Sequence, residues 1–282
     1  MNFGRFIRRM SKRVGRTTLR GGILYNGRAQ INSGIDDLVR SLWPLKIELP
    51  LVRIGGSGDG GYLVPDDLDG VSACFSPGVA DRANFELELA ARGIRSFLLD
   101  GSIDECPVRH KLIEFEPKFL DGYSGPDRIS INDWIEAKVG ATDDDLLLQM
   151  DIEGYEWPSL LALENRHLER FRIIVLEVHN LEMVFQSFGF RIINAVLGRL
   201  LVHFDIVHTH PNNNAGIYRF DGRAVPDVME LTFYRKDRSH AAGLVTKLPH
   251  SLDEPCINNR PELSLYDALS PLPPELRTVS SD

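Results

Sequence analysis

An α/β fold, with a parallel sheet covered by helices on both faces, is predicted from three features of the chain. Short apolar runs of strand length alternate with stretches of helical period. Runs such as Leu146–Met150 and Ile173–Val178 are apolar at nearly every position, as in strands buried on both faces. The 282 residues, 43% hydrophobic and 26% charged, suffice for one large α/β domain or two small ones. That composition excludes a collagenous, low-complexity or wholly disordered chain.

The elements follow in order. A helix is predicted over Ile35–Trp43, then short strands at Leu51–Ile54 and Tyr62–Val64 joined by the glycine-rich loop Gly55–Gly61. Val71–Phe75 reads as a strand, Ala83–Ala91 as a helix and Ile94–Leu99 as a second strand of the same sheet. Leu112–Phe115 is the third, followed by a helix over Asp133–Val139. The buried strands Leu146–Met150 and Ile173–Val178 flank a helix at Ser159–Asn165. A long helix, Phe185–Leu201, leads to a strand at Phe204–His208, and Val228–Tyr234 closes the set. Past Asp237 the periodicity fades and prolines gather at 249, 255, 261, 271, 273 and 274, which predicts an extended tail wrapping the domain. The expected organisation is a basic segment over residues 1–28, one domain over 29–237 and a Pro-rich tail over 238–282.

Charge is unevenly spread. The net charge is −8, yet residues 1–28 hold eight Arg or Lys and no acid, which leaves 24 bases against 40 acids from residue 29 onward. So acidic a body is a poor partner for nucleic acid. In the basic segment Phe3, Phe6, Ile7, Met10 and Val14 recur at helical spacing among Arg5, Arg8, Arg9, Lys12 and Arg13. That pattern fits an amphipathic helix lying on an anionic membrane surface through residues 1–20, and equally a helix packed on the domain or an organelle transit peptide. No stretch approaches the ~20 apolar residues of a membrane span. Three scattered cysteines make neither a disulfide framework nor a Cys-based zinc site. A soluble, cytoplasmic protein is the expectation, with peripheral membrane contact through residues 1–20 one of the readings of the basic segment.

Ligands of parallel sheets bind beyond the carboxyl ends of the strands, which directs attention to the residues there. The Val71–Phe75 strand ends at Ser76-Pro77-Gly78-Val79-Ala80-Asp81, where a glycine admits close backbone approach before a helix N-terminus. Asp100 ends the next strand 22 residues after Gly78, the separation at which nucleotide-binding units hold ribose hydroxyls. An ordinary βα turn with a solvated Asp would look the same. Met150-Asp151-Ile152-Glu153-Gly154-Tyr155-Glu156-Trp157 puts two carboxylates, Asp151 and Glu153, after a run of leucines. Glu177 and His179 end the next strand, and His208-Thr209-His210 precedes Asn212-Asn213-Asn214. One crevice thus collects Asp151, Glu153, Glu177, His179, His208 and His210. Glu177 could instead accept bonds from a neighbouring loop, and the two later histidines could cap their strand. Histidines with carboxylates also suit a divalent metal, but no H-x-x-x-H or H-E-x-x-H spacing supports one, so a metal is the less favoured reading.

These segments resemble the FkbM-type methyltransferases, which use S-adenosylmethionine. The resemblance rests on Arg53-Ile54-Gly55 with Asp59-Gly60-Gly61-Tyr62, on Ser76-Pro77-Gly78 with Phe85-Glu86, on Asp151-Ile152-Glu153-Gly154 with Glu156-Trp157, and on Leu176-Glu177-Val178-His179. The segment from His208 to Asn213 and Pro226–Thr232 fits the family's close. The resemblance implies a Rossmann-like, seven-stranded, mostly parallel methyltransferase sheet whose last strand is antiparallel. It also implies that Ser76, Gly78, Asp81 and Glu86 surround the cofactor's methionine end and that Asp100 holds its ribose. The first turn carries one glycine where many methyltransferases carry several, and Asp59, Gly60, Gly61 and Tyr62 are expected to supply the missing donors.

Methyl transfer to a hydroxyl needs alignment and a base. Asp151 and His179 are the candidates for that base, with Glu153 and Glu177 orienting the acceptor. The family acts on oxygens of sugars and secondary metabolites, and an acidic cleft suits a neutral polyol, so O-methylation of a sugar hydroxyl on a glycan or small molecule is expected. Two competing readings are a nucleotide-cofactor oxidoreductase, which lacks its glycine triplet here, and a catalytically silent membrane-peripheral module. Deleting residues 1–20 should leave the fold intact and reduce flotation with anionic liposomes; equal flotation would make the segment a packing element.

Overall fold

The computed structural model describes residues 28–276, so the expectations for residues 1–27, including the basic amphipathic helix, lie outside the described residues. Helix α1 (Arg28–Ser41) precedes a hairpin of β1 (Leu51–Ile54) and β2 (Tyr62–Pro65). Then come β3 (Ala73–Pro77), α2 (Asn84–Ala91), β4 (Arg95–Leu99), β5 (Ile113–Glu116), the short pair β6 (Phe119–Asp121) and β7 (Arg128–Ser130), and α3 (Ile131–Val139). Strand β8 (Leu146–Met150), α4 (Glu156–Ala162), α5 (Asn165–Leu168), β9 (Phe171–Val178) and α6 (Ser187–His203) follow. Strand β10 (Phe204–Pro211), the hairpin β11 (Ile217–Phe220) and β12 (Arg223–Pro226), and β13 (Met229–Arg235) complete the strands.

The central sheet has seven strands in the order β10-β13-β9-β8-β3-β4-β5. It is mostly parallel, and β13 inserts antiparallel between β9 and β10. This matches the expected sheet, including its reversed late strand. Side chains alternate along the strands between two buried clusters. Phe75, Leu146, Leu148, Ile174 and Leu176 pack with residues of α1, α3, α4 and α6, among them Trp134, Trp157 and Leu197. Cys74, Leu147, Ile173 and Val175 pack with Phe85 and Leu89 of α2 and with Ile54, Tyr62 and Val64 of the first hairpin. Burial on both sides is why these strands read as near-continuous apolar runs. Among the described residues, no helix is long and apolar enough to cross a membrane.

Two pairs of strands escaped the reading of the sequence. The β6–β7 pair is three residues a side, too short for a periodicity to register. The β11–β12 hairpin had a signal in Asp221-Gly222, both with positive φ (50° and 76°), the turn that matches strand twist. Residues after Arg235 form a few short helical turns in an otherwise irregular path that returns to the body. Trp43 Nε1 donates to the Val245 carbonyl at 2.8 Å, and Ala224 and Ser270 exchange backbone bonds at 3.0 Å.

At the amino edge of the sheet, acids and arginines form one network. Asp145 accepts from Arg172 Nη2 at 2.6 Å and from Arg235 Nη1 at 2.6 Å. Asp67 accepts from Tyr234 Oη at 2.6 Å and from Arg238 Nη2 at 2.8 Å. Burial pushes both carboxyls up, and these bonds outweigh it, so both are held below the ordinary carboxylate value. A depressed pKa stabilises the fold above the unfolded value of ~3.9, and the contribution is lost as pH falls through the folded value. Asp145→Ala should cost about 1.5–3 kcal/mol near neutrality. In urea titrations its stability should fall less than that of the wild type between neutrality and strongly acid pH.

Candidate functional site

Neighbouring parallel strands bring the turns after β3, β8 and β9 together at the carboxyl edge. Strand β13 runs the other way, so its first residues reach this edge, where Glu230 lies opposite both Glu177 and His210. His210, Glu230 and Glu177 therefore form one row across three strands, each under 10% exposed. Like charges directly opposite one another oppose folding, so the Glu177–Glu230 pair must be neutralised by a proton or a cation.

Glu156, wholly buried at the first turn of α4, organises the loop after β8. It accepts from Ile152 N and Gly154 N, both at 2.9 Å, and its Oε1 lies 3.2 Å from His179 Nδ1. The imidazole is thereby turned so that Nε2 faces Glu177 Oε1 at 3.5 Å and Asp151 Oδ1 at 3.8 Å. One donor atom from each of Asp151, Glu177 and His179 lies within 4.8 Å of the other two. Burial opposes charge on His179, but the Glu156 bond and the charges of Glu156, Asp151 and Glu177 win, raising it to about 10. Asp151 is raised to about 7, first by burial and then by Glu156, Glu153 and Asp59, against the pull of His179. Glu177 is raised well above its ordinary value by burial, by Asp151 and by Glu230. Tyr62, buried in the first hairpin, is raised by burial and then by the charges of Asp151 and Glu177, which puts its phenol in the same acidic field.

The backbone here is strained. Ala80, Glu153 and Asn180, one in the turn after each of β3, β8 and β9, have φ of 46°, 56° and 57°. Each such non-glycine position costs of order ~1–3 kcal/mol, and strain of this kind gathers where geometry serves function.

Gly78 departs from expectation. With φ +92° it is obligatory, but a Cβ there would sit 1.6 Å from the Asp151 carbonyl oxygen. The room it leaves is filled by the neighbouring turn rather than opened to a ligand, and Gly78 N donates to Leu99 O at 2.8 Å. The glycine lets three strand ends close on one another. Asp100 lies beside it and accepts from Ala80 N at 2.7 Å, Ser102 N at 2.7 Å and Ser102 Oγ at 2.6 Å. A carboxylate offers about four acceptor positions, so about one remains for a hydroxyl.

Ser76 and Glu86 are buried, as members of the interior rather than crevice-facing groups. Ser76 Oγ meets both Glu86 and Gln149, at 2.6 Å for the latter, and burial raises Glu86 to about 7. A protonated Glu86 donating to Ser76, which donates to Gln149, satisfies all three and ties α2 to β3 and β8. The Asp81 side chain is 90% exposed and beside Arg82. Arg82 also reaches Asp59 at 3.3 Å, linking the glycine loop to this turn. Within the loop, Arg53 donates to Gly56 O at 2.6 Å and Gly58 O at 2.7 Å, and a Cβ on Gly61 would meet Gly56 O at 2.4 Å. Gly60, with φ +82°, has open space where a Cβ would stand.

His208 is drawn away from the cluster by the tail. Its Nε2 lies 2.8 Å from Asp253 Oδ1, and both side chains are buried. His210 lies 3.3 Å from Glu262 of the tail and 3.7 Å from Glu230. The tail also receives Asn213 Nδ2 at Ile257 O, 3.0 Å away. These contacts make His208 and His210 anchors for residues 250–262 rather than members of the Asp151 cluster. Sequence reasoning missed Glu156, Glu230, Arg53 and Asp253 as site residues. Glu230 carried the signal that marked Glu177, an acid inside an apolar strand.

Residues 79–203 match the family described as the Methyltransferase FkbM domain. The match spans β4 to β9 and ends with α6, so it includes Asp151, Glu153, Glu156, Glu177 and His179 and excludes the glycine loop, β10, β13 and the tail. No curated protein matches the chain significantly.

Glu156→Gln should lower the His179 pKa by more than one unit in an NMR imidazole titration and cost about 1–3 kcal/mol through the one loop amide from which the Gln NH2 cannot accept a bond. A raised imidazole pKa stabilises fully below the unfolded ~6.5 and is lost as pH rises through about 10. The stability gap between wild type and variant should therefore narrow towards pH 10.

Proposed function

We propose that this chain, which carries an FkbM methyltransferase domain over residues 79–203, transfers a methyl group from S-adenosylmethionine to a neutral hydroxyl oxygen, that of a sugar. The observation that carries this reading is the convergence of Asp151, Glu177 and His179 beside the interlocked turns of Gly78 and Asp100. Two features suit the cofactor. Asp100 keeps about one acceptor position for a ribose hydroxyl at the end of β4, and the excess of carboxylates next to it suits a sulfonium. S-adenosylmethionine, when bound, supplies an electrophilic methyl carbon.

The chain's own groups divide the remaining work. His179 is protonated at neutral pH, since its pKa is about 10, and so is not the base. It instead offers an N–H that orients the acceptor oxygen and a charge that eases loss of the hydroxyl proton. Asp151, at about 7, exchanges a proton near neutrality and receives the one the hydroxyl gives up. Glu156 keeps the imidazole aimed at that point. Glu177, Glu230 and the Tyr62 phenol line the surroundings with oxygens that resist taking on further negative charge, which disfavours an anionic acceptor and favours a polyol. Aligning acceptor and donor is the larger part of the rate, up to ~10⁵–10⁸ M of effective molarity.

Asp151→Asn should lower kcat by at least ~10²-fold with a neutral glycoside acceptor. Its affinity for S-adenosylhomocysteine, by calorimetry, should stay within a few-fold of wild type. No binding of S-adenosylhomocysteine by the wild-type chain would sink the reading, and so would full activity of the variant.

A further inference from the structure

We propose that Asp151, Glu177 and His179 form a site for one divalent cation of the Mn²⁺ class at the carboxyl edge of the sheet. Oδ1 of Asp151, Oε1 of Glu177 and Nε2 of His179 face a common point, with Nε2 3.8 Å and 3.5 Å from the two oxygens. Donors bound to one ion at ~2.0–2.2 Å stand ~3–3.5 Å apart, so a contraction of a few tenths of an ångström closes the set. Glu177 and His179 are two residues apart at a strand end, which places both side chains on one face, and Asp151 comes from the adjacent strand.

Three further observations, independent of those distances, point to an ion. Bound histidines give their other nitrogen to a carboxylate, and Glu156 holds His179 Nδ1 at 3.2 Å from outside the donor set. Ligating carboxylates are themselves hydrogen-bonded, and Asn212 Nδ2 donates to Glu177 Oε1 at 3.2 Å. Glu177 also lies opposite Glu230, and among the described residues no Arg or Lys pairs with Asp151, Glu156, Glu177 or Glu230. Among the described residues only a proton supplies positive charge at this point, and a bound cation is the alternative. Access exists, since the Asp151 side chain is 27% exposed while those of Glu177 and His179 are 8% and 13%. Two carboxylates with one imidazole suit Mn²⁺ better than the all-oxygen shell of Mg²⁺, and three protein donors leave positions open for an acceptor hydroxyl. Ion binding would occupy Asp151 and His179 as ligands, and so is an alternative to their proton-accepting and imidazolium roles in methyl transfer.

The test is Mn²⁺ binding to the full chain after chelator treatment, followed by electron paramagnetic resonance and calorimetry without cofactor or acceptor. One ion per chain is expected, weakened at least ~10-fold by Asp151→Asn and by His179→Ala. Glu156→Gln, which touches no ion, should weaken it ~10–100-fold, and circular dichroism reports that each variant is folded. Absence of bound Mn²⁺ at millimolar ion overturns the proposal, as does equal binding by wild type and the folded Asp151→Asn chain. Because the readout is ion binding alone, it stands or falls separately from the methyl-transfer reading, which S-adenosylhomocysteine binding tests.

Discussion

A single carboxylate without solvent contact sets the geometry of the carboxyl edge. Glu156 takes two loop amides and one imidazole nitrogen, so the turn after β8, the start of α4 and the His179 ring are fixed by one group. A buried carboxylate in an apolar setting would cost several kcal/mol if unpaired, and these three donors are what make its burial tolerable. The left-handed conformations at Glu153 and Gly154 follow, because only a reversed loop can aim two amides at the same side chain. From that loop Asp151 projects beside β9, and from the other side the carbonyl of Asp151 fills the place where Gly78 lacks a side chain. Three strand ends thereby become one rigid body before any ligand arrives, which is the preorganisation that group transfer rewards.

Much of this was legible in the sequence, and for a physical reason. Strands buried on both faces must be apolar at almost every position, so Leu146–Met150 and the core of β9 read clearly, and an acid at their ends stood out as an anomaly. Asp151, Glu177 and His179 were found that way, and the structure brings those three together. Glu156 did not stand out, because it lies on a helix where acids are ordinary; only the fold reveals that this helix begins inside the protein. Gly78 was read as room for a ligand, but a glycine permits close approach by anything, and here the visitor is the chain's own backbone. Ser76 and Glu86 sit in a segment with functional neighbours, yet alternation along β3 turns Ser76 inward, and Glu86 joins it beneath the turn. His208 and His210 depended on a tail whose path no periodicity encodes.

The two edges of the sheet handle charge in opposite ways, and the contrast locates function more firmly than any one residue. At the amino edge Asp67 and Asp145 meet Arg172, Arg235 and Arg238, and both are drawn below the ordinary carboxylate value. At the carboxyl edge Asp151 and Glu177 are pushed up, chiefly by burial, and among the described residues no guanidinium pairs with them. Selection for stability alone would place an arginine beside Glu177 and Glu230, as it did at the other end of the same strands, since paired buried ions tolerate what unpaired ones do not. An edge whose Asp151 and Glu177 meet no guanidinium among the described residues, and whose three turns are strained, has the character of a binding site. A positively charged visitor is the one for which such an edge is already complementary. A sulfonium and a divalent cation both answer that description, and they differ at His179, whose Nδ1 Glu156 holds: only a divalent cation would take the place of the proton on Nε2.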